Sequence, residues 1–168
     1  MNDAKAWADF YVTAGASAAV LTGLLFVALS INRETIAAHS HLAGRARQAI
    51  FALVSIFVLS LLVLIPDQSA AALGAELIVG MVGVLVISIP RQVRRLRTTS
   101  PAKRRDFALL AAVYDAAMLL ILTAGVSLTA GADFAFKLLA PAVIALALLA
   151  IVNSWNLTLV GSGGVRDE

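Results

Sequence analysis

Few side chains in this sequence are able to take part in chemistry, and their types limit what that chemistry would be. Asp115 is the one ionisable residue deep inside a long apolar run, residues 107–130. A charged carboxylate in hydrocarbon costs roughly 3 kcal/mol or more, so it must face the protein interior, pair, or stay protonated, and by default it marks a functional site. It lies eight residues past Phe107, about 12 Å deep at 1.5 Å per residue. Asn153, Asn156, Ser55 and Ser88 fall at similar depth on other apolar runs, and Arg91 is placed to reach up toward them. Two readings follow: a proton or cation step or a polar substrate pocket, or a hydrogen-bonded clasp that fixes helix packing. One acid without a second at its depth is thin for a proton relay, which favours the clasp. Glu76 lies near the opposite face, where it reads as a solvated acid, or as an outer mouth if several copies surround a pore.

Other chemistries are missing at the level of residue type. The chain has no cysteine, which removes disulfides, thiolate metal sites and cysteine nucleophiles. His39 and His41 stand two apart and share no helix face, so no metal site is expected from them. Paired-histidine zinc motifs, serine elbows, phosphate loops and the potassium-filter sequence do not occur. Asn156-Leu157-Thr158 fits the glycosylation pattern, but inside an apolar run the match is noise. No catalysis and no cofactor are expected.

The elements that must position these groups follow from composition. Of 168 residues, 61% are hydrophobic and 14% charged, against about 45–50% and about 25% in soluble domains. A chain of this size has too much surface to hide so many apolar side chains from water. Five stretches approach the roughly 20 apolar residues that cross a bilayer: 11–31, 49–65, 71–90, 107–130 and 138–160. The second is shortest and can extend back over Ala43 to Arg47 if the arginines snorkel. Lipid leaves no partner for an open backbone, so the spans should be helices; runs such as 59–65 do not alternate as barrel strands would. The sequence therefore predicts an all-α integral membrane bundle of five transmembrane helices, one domain over 1–168, with no soluble domain. Pro66 and Pro90 read as span ends, Ser100-Pro101 as a helix start, and Pro141 as a first-turn proline. An alternative lays 71–90 in the interface and leaves four spans.

Basic residues set the orientation. With five spans, the 32–48 and 91–106 connectors and the tail share one side and hold 11 of the 13 basic residues. The prediction is N-terminus out, C-terminus in. Residues 1–10 lack a basic n-region and 11–31 is longer than a signal-peptide core, so the first span reads as a retained helix. Trp7, Phe10 and Tyr11 fall where an aromatic belt is expected, with Trp155 and Phe107 serving near the other face. Arg94, Arg95, Arg97, Lys103, Arg104 and Arg105 abut two spans and should meet anionic lipid headgroups; no recognition fold or aromatic platform beside them suggests nucleic acid.

Small residues recur on two spans. Gly15, Ala19 and Gly23 repeat every four residues, and Gly80 lies beside Gly83. Such spacing lets helix backbones approach closely, either within one chain or between copies. Residues 7–32, WADFYVTAGASAAVLTGLLFVALSIN, resemble the opening of a group of small bacterial multi-pass proteins without an assigned function, some labelled as membrane-protease modulators. The resemblance implies a bacterial inner-membrane setting and carries no catalytic or ligand residue. The sequence thus points to a non-catalytic inner-membrane protein acting by helix packing, as a homo-oligomer or an accessory subunit of a membrane complex. A small channel or transporter with a path around Asp115 is the second reading.

Overall fold

The computed structural model describes residues 2–98, 101–132 and 134–162. They form six helices: α1 (Asn2–Ile31), α2 (Arg33–Ala38), α3 (Ser40–Val63), α4 (Ala70–Thr98), α5 (Pro101–Thr129) and α6 (Ala135–Ser162). No strand occurs among the described residues. Five of the helices are long and apolar enough to cross a membrane, over Ala6–Ile31, Leu42–Val63, Ala70–Val93, Ala108–Thr129 and Ala135–Trp155. The four-span alternative fails because α4 packs lengthwise along α5.

Helix boundaries depart from the sequence reading where local rules compete. The third helix starts at Ser40 instead of near Ala49 and absorbs most of the 32–48 connector, while α2 takes the rest. Leu42, Ala46 and Ala49 put one buried stripe on this added stretch, and the aliphatic stems of arginine cover apolar surface while their heads reach water. Pro90 does not end its span: α4 continues to Thr98. Proline there removes only the bond to the Val86 carbonyl, its ring is exposed, and the Arg, Gln and Leu residues beyond it favour helix. Pro141 stands in the second turn of α6, not the first, because that helix begins at Ala135. Pro101 is the first residue of α5, as read; the capping Ser100 lies outside the described residues. Between α3 and α4 the chain turns through Asp67 at φ 54°, a left-handed conformation that Asp tolerates better than most residues. Gly131, at φ 74°, closes the end of α5.

The helices lie in the spatial order α1, α3, α6, α5, α4, with α1 also touching α6 and α4 only brushing α3. Pairwise contacts fix which ends lie together. Tyr11 meets Phe136, Gly15 meets Ser60 and Gly74 meets Gly125 at one end. At the other, Gln92 meets Asp115, and Asn32 shares a groove with Trp155.

Lipid tails are as apolar as leucine, so close packing rather than water exclusion holds such helices together. The inner helices meet through alanines: Ala49 and Ala52 on α3, Ala117 and Ala124 on α5, and Ala142 and Ala150 on α6 are all at most 1% exposed. Leu53, Met118, Leu139 and Leu146 fill the space around them. The tightest crossing is between α4 and α5. A Cβ placed on Gly74 would stand 2.6 Å from the Gly125 carbonyl oxygen and 2.9 Å from the Thr129 nitrogen.

Candidate functional site

Asp115 is half-buried on α5. Its partner is Gln92 of α4, whose Nε2 donates to Asp115 Oδ1 at 3.0 Å. Long side chains lean toward the N-terminus of their helix, which carries the Gln92 amide down from the helix end toward the acid. The bond joins two adjacent helices at the end opposite the Gly74–Gly125 crossing. The α4–α5 pair is thus pinned twice, by backbone contact at one end and by a side-chain hydrogen bond at the other.

The rest of the expected polar layer is dispersed. Ser55 Oγ donates to the Phe51 carbonyl at 2.7 Å and Ser88 Oγ to the Leu85 carbonyl at 3.5 Å, both within their own helices. Thr22, Ser30, Thr123 and Ser127 do the same. A hydroxyl in an apolar helix is satisfied most cheaply by the carbonyl one turn back, so serine at matched depth does not imply a shared network. Asn153 is fully buried, and neither its Oδ1 nor its Nδ2 has a hydrogen-bond partner; it does not join Asp115. The Asn156 side chain lies outside the described residues. Arg91 stands at the mouth of a cleft instead of reaching the acid. Glu76 is exposed and accepts from Gln68 Nε2 at 2.7 Å, tying the α3–α4 turn to the start of α4.

The small residues divide by face. Gly15 is buried, with a built Cβ 2.9 Å from Ser60 Cβ, so it serves the α1–α3 contact. Ala19 is exposed, and a Cβ at Gly23, Gly80 or Gly83 would meet nothing within 4 Å. Gly74 and Gly125, which make the closest crossing, belong to no stripe in the sequence, and no spacing signal marks them. Tyr11 is not a belt residue: it is fully buried, its ring 6.5 Å from that of Phe136 and 5.1 Å from that of Phe10. Trp7 and Phe10 are half-buried beside it, and Trp155 is exposed at the other end. The side chains of Phe107, Arg94, Arg95, Arg97, Lys103, Arg104, Arg105 and His41 lie outside the described residues. His39 Nδ1 donates to the Thr35 carbonyl at 2.9 Å.

Two recesses open near the end of the bundle that carries Arg47 and Arg91. One, of about 140 Å³, lies between α3, α4 and α5, with Phe51, Val84, Ile87 and Tyr114 among its walls and Arg47, Gln48, Arg91 and Gln92 around it. The other, of about 360 Å³, runs between α1 and α6 and is lined by Leu21, Leu24, Leu29, Ile151 and Trp155, with Asn32 and Ser154.

Fold and site together define an all-helical, multi-pass membrane protein in which, among the described residues, most polar side chains bond within their own helix and Gln92–Asp115 ties two helices. No family model, curated protein or solved structure matches the chain.

Proposed function

We propose that the protein acts by helix packing, without a catalytic step, in a bacterial inner membrane with its N-terminus out and C-terminus in. Its working form is a homo-oligomer or an accessory subunit of a larger membrane complex. The observation that carries this reading is the outward face of α4, where Gly80 and Gly83 have open space over their Cα atoms. Only 22% of the most apolar window of α4 and 17% of that of α1 are buried within the chain, against 44% in α3 and α6. The two helices richest in unused small residues are thus the two least covered. Glycines on an apolar helix permit close backbone approach by another helix. The orientation rests on the basic connectors, and the bacterial setting on the resemblance of residues 7–32.

The test is a Gly80→Leu/Gly83→Leu double variant purified in mild detergent, with mass by light scattering and copurifying subunits counted by stoichiometry. The wild type is expected as a discrete oligomer or stoichiometric complex, and the variant as a folded monomer. A wild-type protein that is monomeric and partnerless in detergent and in crosslinked membranes overturns the reading.

The channel or transporter reading draws on the half-buried Asp115. The Gln92 bond supports the clasp in its place, since it engages the carboxylate inside a single chain. Asp115→Asn keeps an acceptor for Gln92 and removes the charge. It is expected to leave assembly and stability intact; loss of an ion or proton flux in vesicles with assembly unchanged would favour the channel.

A further inference from the structure

We propose that the cleft between α3, α4 and α5 is a binding site for one anionic phospholipid, with the headgroup phosphate held between Arg47 and Arg91 and an acyl chain laid along Phe51, Val84 and Ile87. Arg47 and Arg91 come from different helices and line the same cleft. Both fall inside the apolar spans, Leu42–Val63 and Ala70–Val93. Among the described residues neither guanidinium has an ion-pair partner. A guanidinium at the edge of hydrocarbon needs an anion or water, and a planar fork of donors fits a phosphate well.

Beyond the arginines the walls turn apolar. Val84 lies seven residues from Arg91, so the groove continues about 10 Å into the membrane. Phe51 and Ile87 are both exposed, which leaves the groove open sideways to lipid. Charge at the membrane surface and an apolar trough below it match the two ends of a phospholipid. Asp115 does not oppose the headgroup: it is not among the lining residues, and its Oδ1 is engaged by Gln92. The α3–α4 separation has a structural cause. α4 is pinned to α5 at both ends and barely touches α3, so the gap beside Arg47 is left for another molecule to fill.

The proposal does not depend on the packing reading, since a monomer would carry the same cleft. It is tested by native mass spectrometry of the whole chain released from nanodiscs that hold phosphatidylglycerol and phosphatidylcholine in equal amounts. One phosphatidylglycerol per chain is expected to survive, with phosphatidylcholine lost. A basic residue near anionic headgroups is worth roughly a factor of five, so Arg47→Gln/Arg91→Gln should lower retention about 25-fold at unchanged helicity. Ile87→Trp, which fills the trough and keeps both charges, should lower it as well. Arg94→Gln/Arg95→Gln/Arg97→Gln, at positions that follow the apolar span Ala70–Val93 in the sequence, should not. Inorganic phosphate at millimolar concentration should fail to displace the lipid, because it lacks the chain. Equal retention of the two lipids, an unchanged Arg47/Arg91 double variant, or loss only in the Arg94/Arg95/Arg97 variant each overturns the site.

Discussion

Gly74→Ala is the smallest change that probes how this bundle is held together. A methyl group at that position would stand 2.6 Å from Gly125 O, 2.8 Å from Thr129 Cγ2 and 2.9 Å from Thr129 N. Two of the three are backbone atoms of α5, which have no rotamer to change. Reaching an ordinary contact of 3.4 Å requires α4 to move by about 0.8 Å. Overpacking of this kind costs roughly 1–3 kcal/mol, and the intrinsic preference of alanine over glycine in a helix returns up to about 1 kcal/mol. The net expectation is a loss of about 0–2 kcal/mol, a factor of up to about 30 in the folded-to-unfolded ratio. The cost falls on the α4–α5 pairing, since α5 is the main partner of α4. Gly80→Ala, measured on protein dissociated to monomers, serves as the reference on the same helix: within the chain the added methyl meets nothing and only the favourable propensity remains. The assay is reversible unfolding in mixed micelles, followed by helicity and by a distance probe between α4 and α5. Gly74→Ala that is as stable as Gly80→Ala refutes the reasoning, because the backbone contact would then not exist in the membrane.

Three further outcomes follow from particular contacts. A double-mutant cycle with Gln92→Leu and Asp115→Leu should give a coupling of roughly 0.6–2 kcal/mol, the range for interhelical hydrogen bonds in membranes, measured by the same unfolding assay; no coupling would mean the 3.0 Å bond is not formed. Asn153→Leu, nearly isosteric, should raise stability by about 1 kcal/mol, because the buried amide has no partner to lose; a fall would show that the amide is satisfied. Reporter fusions at residues 68 and 98 should report opposite sides of the membrane, since α4 carries the chain across between them.

The number of spans was legible in the sequence because it depends on length and apolarity alone. A run such as 71–90 needs no knowledge of its neighbours to be read as a helix that crosses a bilayer. Span ends were less legible. Pro90 is a helix breaker by rule, but the residues on both sides favour helix strongly enough for α4 to pass through it. The structure gives Asp115 a hydrogen-bond partner, Gln92, that the expected polar layer did not include. Asp115 stood out because a charge in hydrocarbon is costly wherever it sits. Its partner did not, because Gln92 lies 23 positions away on a neighbouring helix and at a different nominal depth, reachable only through a long side chain.

The sequence by itself determined what every helix has to do alone: cross lipid with its backbone satisfied, keep basic residues near its ends, and carry few chemical groups. Tertiary structure decided which faces meet. Depth along a helix is set by a fixed rise per residue, so it can be counted, but rotation about each axis and the order of helices in the bundle depend on packing between surfaces that are almost all equally apolar. For that reason Gly15 faces Ser60 inside the bundle and Gly23, on the same stripe, faces outward. Gly74 and Gly125, in no recognisable pattern, make the closest crossing of all.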